Sequence, residues 1–292
     1  MDKDIIRLLR FLELDQYDEA IRYIEKLINS NSDFIEELIY MVASKLTFEK
    51  FLFEKSFKLI QKGLTILPDS ILLKLALCQN LQNHGFLKES LEMCQQLSKE
   101  HPSSGSVWRL LADLYYLYGD YEHAIEAMDF TIASIHMYDK RKSSTRDSSL
   151  TKVDFLIKNG SYHQAIDCLF ELLTLDEIDD PEVELLLADC YIYLGDFEIA
   201  LDFFSGITNK NDVCDKNDYY GKYFLCCLKT GKQGKAIKIL TEAFEQNPRI
   251  FEYIAGINSL FYEKKETEIG DEMIINSNNL VQKFFISNTY YN

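Results

Sequence analysis

A small residue recurs along this chain with a spacing close to 34. It is found at Ala20, Ser56, Ser90, Ala124, Ala165, Ala200 and Ala236, at successive intervals of 36, 34, 34, 41, 35 and 36 residues. Self-similarity at such a period marks a repeat architecture, in which one short supersecondary unit is reused along the chain. Residues 105–138, GSVWRLLADLYYLYGDYEHAIEAMDFTIASIHMY, show what the unit is. Trp108, Leu111, Ala112, Tyr115, Gly119, Tyr121, Ala124 and Met128 fall where two short antiparallel helices need a large, a small or a turn residue. Glycine suits the turn because a chain leaving a helix there adopts left-handed dihedrals. A small residue five positions later lets the second helix cross the first closely.

Laid over the chain, the pattern gives units at about 1–34, 37–70, 71–104, 105–138, 146–179, 181–214 and 217–250. The first has Asp15, and the second Phe51, in the turn where the other five have a glycine. Pro68, Pro102 and Pro248 close units, since proline cannot continue a helix, and Pro181 opens one, where its missing N–H has no partner to lose. From Phe251 two further helical stretches, to about Lys264 and from about Glu268 to Ile286, read as a degenerate eighth unit or cap. The open end of a stack requires such a polar cap. The period breaks between the fourth and fifth units at residues 139–146, DKRKSSTR, a basic run in an acidic protein. It is read as a solvated loop, with a docking patch or a phosphorylation site at Ser143, Ser144 or Thr145 as the alternative.

Scarce Pro (4) and Gly (12) beside 47% hydrophobic residues point to an ordered all-α chain. The formal charge of −16 would repel a phosphate backbone and an anionic membrane surface, so neither nucleic acid nor membrane is expected as partner. The amino terminus has acids beside its bases and no continuous apolar core of a signal peptide. Nor is there an apolar run of about 18 residues that could span a bilayer. The expectation is a cytoplasmic protein. Seven cysteines without paired spacing fit neither a redox pair nor a zinc site and are expected to be reduced thiols in the core. The five histidines are scattered, and no nucleotide, metalloprotease or nucleophile-elbow motif occurs. No enzymatic activity, metal or cofactor is expected.

The Trp, Tyr, Gly and Ala offsets of residues 105–138 resemble the tetratricopeptide repeat, a helical hairpin of that length. The match is closest there and in the sixth unit, at Leu187, Ala188, Tyr191, Gly195, Phe197 and Ala200. The resemblance implies one right-handed α-solenoid over residues 1–292, with seven such hairpins and a C-terminal capping pair, whose first helices line a concave groove. The family's groove positions fall on Leu72, Leu75, Gln79, Gln82 and Asn83, then on Arg109, Asp113, Tyr116 and Leu117. They continue at Asp154, Ile157 and Lys158, at Leu185, Asp189, Ile192 and Tyr193, and at Leu225, Leu228 and Lys229. Asp113 and Asp189 hold equivalent places, which suggests an acidic stripe. The Lys and Asn pair with which some members clamp a C-terminal carboxylate is absent: the places hold Leu75 with Gln79, Arg109 with Asp113 and Leu185 with Asp189.

The function implied is a non-enzymatic scaffold or adaptor that holds a peptide or helical segment with basic and apolar side chains in that groove. The alternative is a structural subunit of a larger assembly that uses its convex face or its terminal helices, around Phe261, Phe284 and Phe285. A secretion or assembly chaperone is a narrower version of the first.

Overall fold

The computed structural model describes residues 3–29, 35–48, 52–138, 142–175, 180–207, 213, 215–247 and 249–250. Among them are fourteen α-helices and no strand. The first nine are α1 (Lys3–Glu13), α2 (Tyr17–Asn29), α3 (Ile35–Phe48), α4 (Phe53–Ile66), α5 (Ile71–Asn83), α6 (Leu87–Glu100), α7 (Gly105–Tyr118), α8 (Tyr121–Tyr138) and α9 (Lys142–Lys158). The others are α10 (Tyr162–Leu175), α11 (Pro181–Leu194), α12 (Phe197–Gly206), α13 (Lys216–Lys229) and α14 (Gln233–Gln246). They form two compact units, one holding α1 to α9 and one α10 to α14, divided between Asn159 and Gly160. The cap expected over 251–286, with Phe261, Phe284 and Phe285, lies outside the described residues, as do Phe51, Pro248 and Cys214.

Most of these helices are too short to persist alone in water, so each is held by its neighbours. In the first unit α1, α3, α5 and α7 touch in succession while α2, α4, α6 and α8 each pair with the helix before them. In the second, α11 pairs with α12 and α13 with α14. The recurring small residues are buried throughout: Ala20, Ser56, Ser90, Ala124, Ala165, Ala200 and Ala236 are all at 0% exposure. The two serines are accommodated by a local bond. Ser56 Oγ donates to Ala43 O at 2.8 Å and Ser90 Oγ to Cys78 O at 2.8 Å, so each buried hydroxyl is satisfied by the helix it crosses.

The turns repeat one hydrogen-bond pattern. After α7, Gly119 takes φ 77°, its N–H donates to Tyr116 O at 2.9 Å, and Asp120 N–H reaches Tyr115 O at 2.9 Å. After α11, Gly195 and Asp196 do the same with Ile192 O and Tyr191 O. In the first unit Asp15 fills the place without glycine, at φ 55°, with its own N–H on Leu12 O and Gln16 N–H on Phe11 O. Aspartate is one of the few residues that visits this region, and its carboxylate accepts from Tyr17 Oη at 2.6 Å. The turn geometry is thus dictated by the hairpin, and the residue type follows.

Ion pairs tie the second helix of one hairpin to that of the next. Lys55 meets Asp18 at 2.6 Å, Lys62 meets Glu25 at 3.0 Å, and Lys232 meets Glu198 at 2.6 Å. All are exposed, so their contribution to stability is small. The basic run differs from its sequence expectation. Lys142 to Arg146 are already helical, forming the start of α9, so only residues 139–141 separate that helix from α8.

Of the six described cysteines, all but Cys168 are buried. Burial pushes the Cys190 thiol up to about 12 and the Cys227 thiol up to about 11, which leaves them inert core residues.

Candidate functional site

In each unit the structure leaves part of the predicted groove residues accessible. In the first unit, Arg109 and Asp113 are one turn apart on α7, with Arg109 Nε 3.5 Å from Asp113 Oδ1. The same guanidinium donates to Thr151 Oγ1 on α9 at 3.2 Å, and Thr151 in turn donates to Asp147 O. Burial pushes the Asp113 carboxyl above the usual carboxylate range, against the pull of Arg109. The Tyr116 ring lies over Phe155 at 4.7 Å and meets the edge of Tyr121 at 5.6 Å. Burial, then the neighbouring Asp154 carboxylate, raise its phenol. Leu117 and Lys158 are exposed, Ile157 is half-buried, and on α5 Asn83 is exposed while Leu72, Gln79 and Gln82 are half-buried.

In the second unit these residues lie on α11 and α13. Leu185, Asp189 and Tyr193 are successive i, i+4 positions on α11. Lys222 Nζ sits 2.7 Å from Asp189 Oδ2 and 2.6 Å from Asp218 Oδ2, joining the two helices. For Asp189 burial outweighs the attraction of Lys222 and its pKa rises. For Lys222 the two carboxylates outweigh burial and hold the ammonium above its ordinary value. Tyr193 stacks on Tyr162 at 5.0 Å with the rings 8° from parallel, and it remains 47% exposed. Lys229 Nζ lies 5.7 Å over the Phe197 ring, and Leu228 is half-buried beside it.

Three predicted wall residues are core. Leu75, Ile192 and Leu225 are at 8%, 4% and 1% exposure. Neighbouring helices cover them: Ile192 belongs to the buried cluster shared by α11 to α14, and Leu75 to the one shared by α5, α6 and α7. The expected acidic stripe also changes character, because Asp113 and Asp189 each lie beside a cation, Arg109 and Lys222. Lys222, Thr151 and Phe155 were not among the predicted residues. For Lys222 the available signal was its place 33 residues after Asp189, close to one repeat, and four after Asp218.

A cleft of about 410 Å³ opens on a different side, between α6, α7 and α8, lined among others by Trp108, Tyr115, His123, Glu126 and Phe130. His123 is exposed and pairs with Asp120 at 2.8 Å, and that bond raises its pKa. Among the described residues, no group of three or more His, Cys, Asp or Glu side chains is placed to hold a metal ion, and no helix is long and apolar enough to cross a membrane.

No protein-family profile and no curated protein matches the sequence. Solved structures do. A tetratricopeptide repeat protein from Parabacteroides merdae aligns over 87% of this chain and 96% of its own, at 13% identity and a TM-score of 0.53. YrrB, described as a TPR protein with an unusual peptide-binding site, aligns over 68% of this chain and 96% of its own, at 15% identity and 0.52. BtubC from P. vanneervenii aligns over 67% and 87%, at 15% identity and 0.55. With its small-residue crossings and left-handed turns, the chain has the helical-hairpin fold of tetratricopeptide repeat proteins.

Proposed function

We propose that this chain is a non-enzymatic protein–protein interaction scaffold. Its partner is an extended or helical peptide segment with basic and apolar side chains. Each unit offers its own candidate contact residues: Arg109, Asp113, Tyr116, Asp154 and Lys158 with Gln79 and Asn83 in the first, and Leu185, Asp189 and Tyr193 in the second. The observation that carries the reading is the contrast along α7 and α11. Ala112 and Ala188, which hold equivalent places in their units, are at 0% exposure, while Asp113, Tyr116, Asp189 and Tyr193 reach the surface between them. Residues that the packing leaves unused are where recognition resides. The two tyrosines are held on neighbouring rings before any partner arrives, so little side-chain freedom is lost on contact. Two carboxylates face one ammonium at Lys222, and the chain as a whole carries −16, which favours a cationic segment.

The test is fluorescence anisotropy with the intact chain and two labelled peptides of equal length, one alternating Lys with Leu and one alternating Glu with Leu. The lysine peptide is expected to bind. Tyr116→Ala and Tyr193→Ala are each expected to weaken it by about tenfold, a loss of ~1.4 kcal/mol. Asp-to-Lys reversal is the wrong probe at Asp189, because it would set a second ammonium against Lys222. Equal affinity for the glutamate peptide, or unchanged affinity in both tyrosine variants, would sink the reading.

A further inference from the structure

α8 carries a solvent-facing stripe that the hairpin packing does not explain. Glu122, Glu126, Phe130, Ala133 and Met137 are all exposed. At 100° per residue they fall within a sector about 80° wide. The opposite side of the helix, at Ala124, Met128 and Thr131, is fully packed. The stripe is divided along its length: its first half is carboxylate, its second half apolar, with Phe130 at 52% and Met137 at 73% exposure. Among the described residues neither Glu122 nor Glu126 is in an ion pair.

The apolar half is also held rigid. Phe130 stacks on Trp108 at 4.4 Å, and the indole is fixed in turn by its Nε1–H donating to Pro102 O at 2.7 Å. That stack borders the 410 Å³ cleft, which gives the surface depth beside the exposed ring. A fixed aromatic ring beside a cleft is the kind of anchor that contributes most to an interface. This face is not the α7 surface of the proposed function. Trp108, Leu111 and Tyr115, which line the cleft, lie roughly 140° around α7 from Arg109, Asp113 and Tyr116.

We propose that the α8 stripe docks an amphipathic helix from another protein, one whose contact face is apolar over one half and basic over the other. Charge chooses this occupant over a second copy of the chain. Two α8 helices side by side in parallel would bring four carboxylates together. Antiparallel, they would press the carboxylates of each copy onto the apolar half of the other with no cation to meet them. A segregated basic and apolar helix satisfies both halves at once.

The probe is a labelled helical peptide of about 16 residues, long enough at 1.5 Å per residue to cover the stripe, with leucines over one half of one face and lysines over the other. A control peptide has the same composition with the two kinds interleaved. With the intact chain, the segregated peptide is expected to bind and the interleaved one to bind at least about tenfold more weakly. Met137→Glu, and Glu122→Lys with Glu126→Lys, are each expected to cost about tenfold, the latter losing its effect at high salt. Met137 is exposed enough that its replacement leaves the fold intact. Tyr116→Ala and Tyr193→Ala are expected to change nothing, and an excess of the alternating Lys–Leu peptide is expected not to displace the probe, so this proposal and the groove reading stand or fall separately. The proposal is overturned by equal binding of the interleaved peptide, by α8 variants that keep full affinity, or by loss of the probe in Tyr116→Ala. A dimer in light scattering that Met137→Glu dissociates would also overturn it, in favour of a second copy.

Discussion

Replacing Lys222 with Met keeps the length and apolar stem of the side chain and removes only the charge. It leaves the Asp189 and Asp218 carboxylates facing each other across α11 and α13 without the ammonium that now lies 2.7 and 2.6 Å from them. Breaking a fully buried pair in this way costs about 3–5 kcal/mol. Here the Lys222 and Asp189 side chains keep 17% and 20% exposure, so water screens part of the loss and about 2–3 kcal/mol is expected. Asp189→Asn retains the Lys222–Asp218 contact and should cost under about 1 kcal/mol.

Hydrogen exchange read by mass spectrometry over α11 and α13 measures this locally, and ~2 kcal/mol corresponds to a loss of protection of about thirtyfold. The pH dependence separates charge from packing. Asp189 has its native pKa raised, so its ionised form opposes folding: its favourable contribution is complete below the unfolded carboxyl value and is lost as pH rises through the native one. In Lys222→Met this opposition is no longer offset, so the penalty should be small near pH 4 and full at pH 7. The wild-type contribution of Lys222, whose native pKa is also raised, is present below the unfolded lysine value and is lost as pH rises through the native one. A Lys222→Met penalty that is the same at pH 4 and pH 7 would refute the argument and assign the loss to packing of the lysine stem.

The turn and crossing positions give two further expectations. A methyl group on Gly119 would meet nothing within 4 Å, so Gly119→Ala should cost only the left-handed backbone term, ~1–2 kcal/mol, visible as a lower thermal midpoint in Trp108 fluorescence; no change would mean that the turn tolerates any residue. Ser90→Ala removes one satisfied hydroxyl and should cost about 1 kcal/mol or less, whereas Ser90→Leu forces α5 and α6 apart and should cost at least ~2 kcal/mol in urea unfolding. Equal effects of the two substitutions would mean that the crossing is loose.

Turn glycines and small residues were legible because they answer to local constraints. A positive φ and a close helix crossing admit few residue types wherever the hairpin occurs, so Gly119, Gly195, Ala124 and Ala200 announce themselves. Asp15 shows the limit of that rule, since the backbone takes the same conformation there without glycine. The start of α9 at Lys142 was hidden for a similar reason. A polar, basic run reads as loop, yet nothing in Lys142 to Arg146 breaks a helix.

The accessible surface was legible only in part. Arg109, Asp113, Tyr116, Asp189 and Tyr193 reach the surface as a one-helix projection predicts, but Leu75, Ile192 and Leu225 do not, because their side of the helix is covered by neighbours that a projection leaves out.

By itself, then, the sequence determined the unit, its period and its turn and crossing residues, because those follow from contacts within about 34 residues of chain. The tertiary structure alone decided which wall positions face solvent, that Asp113 and Asp189 lie beside cations, and that α8 turns a half-acidic, half-apolar stripe outward. Those outcomes depend on how one hairpin rotates against the next, and a rotation of about 100°, one residue on a helix, separates core from surface.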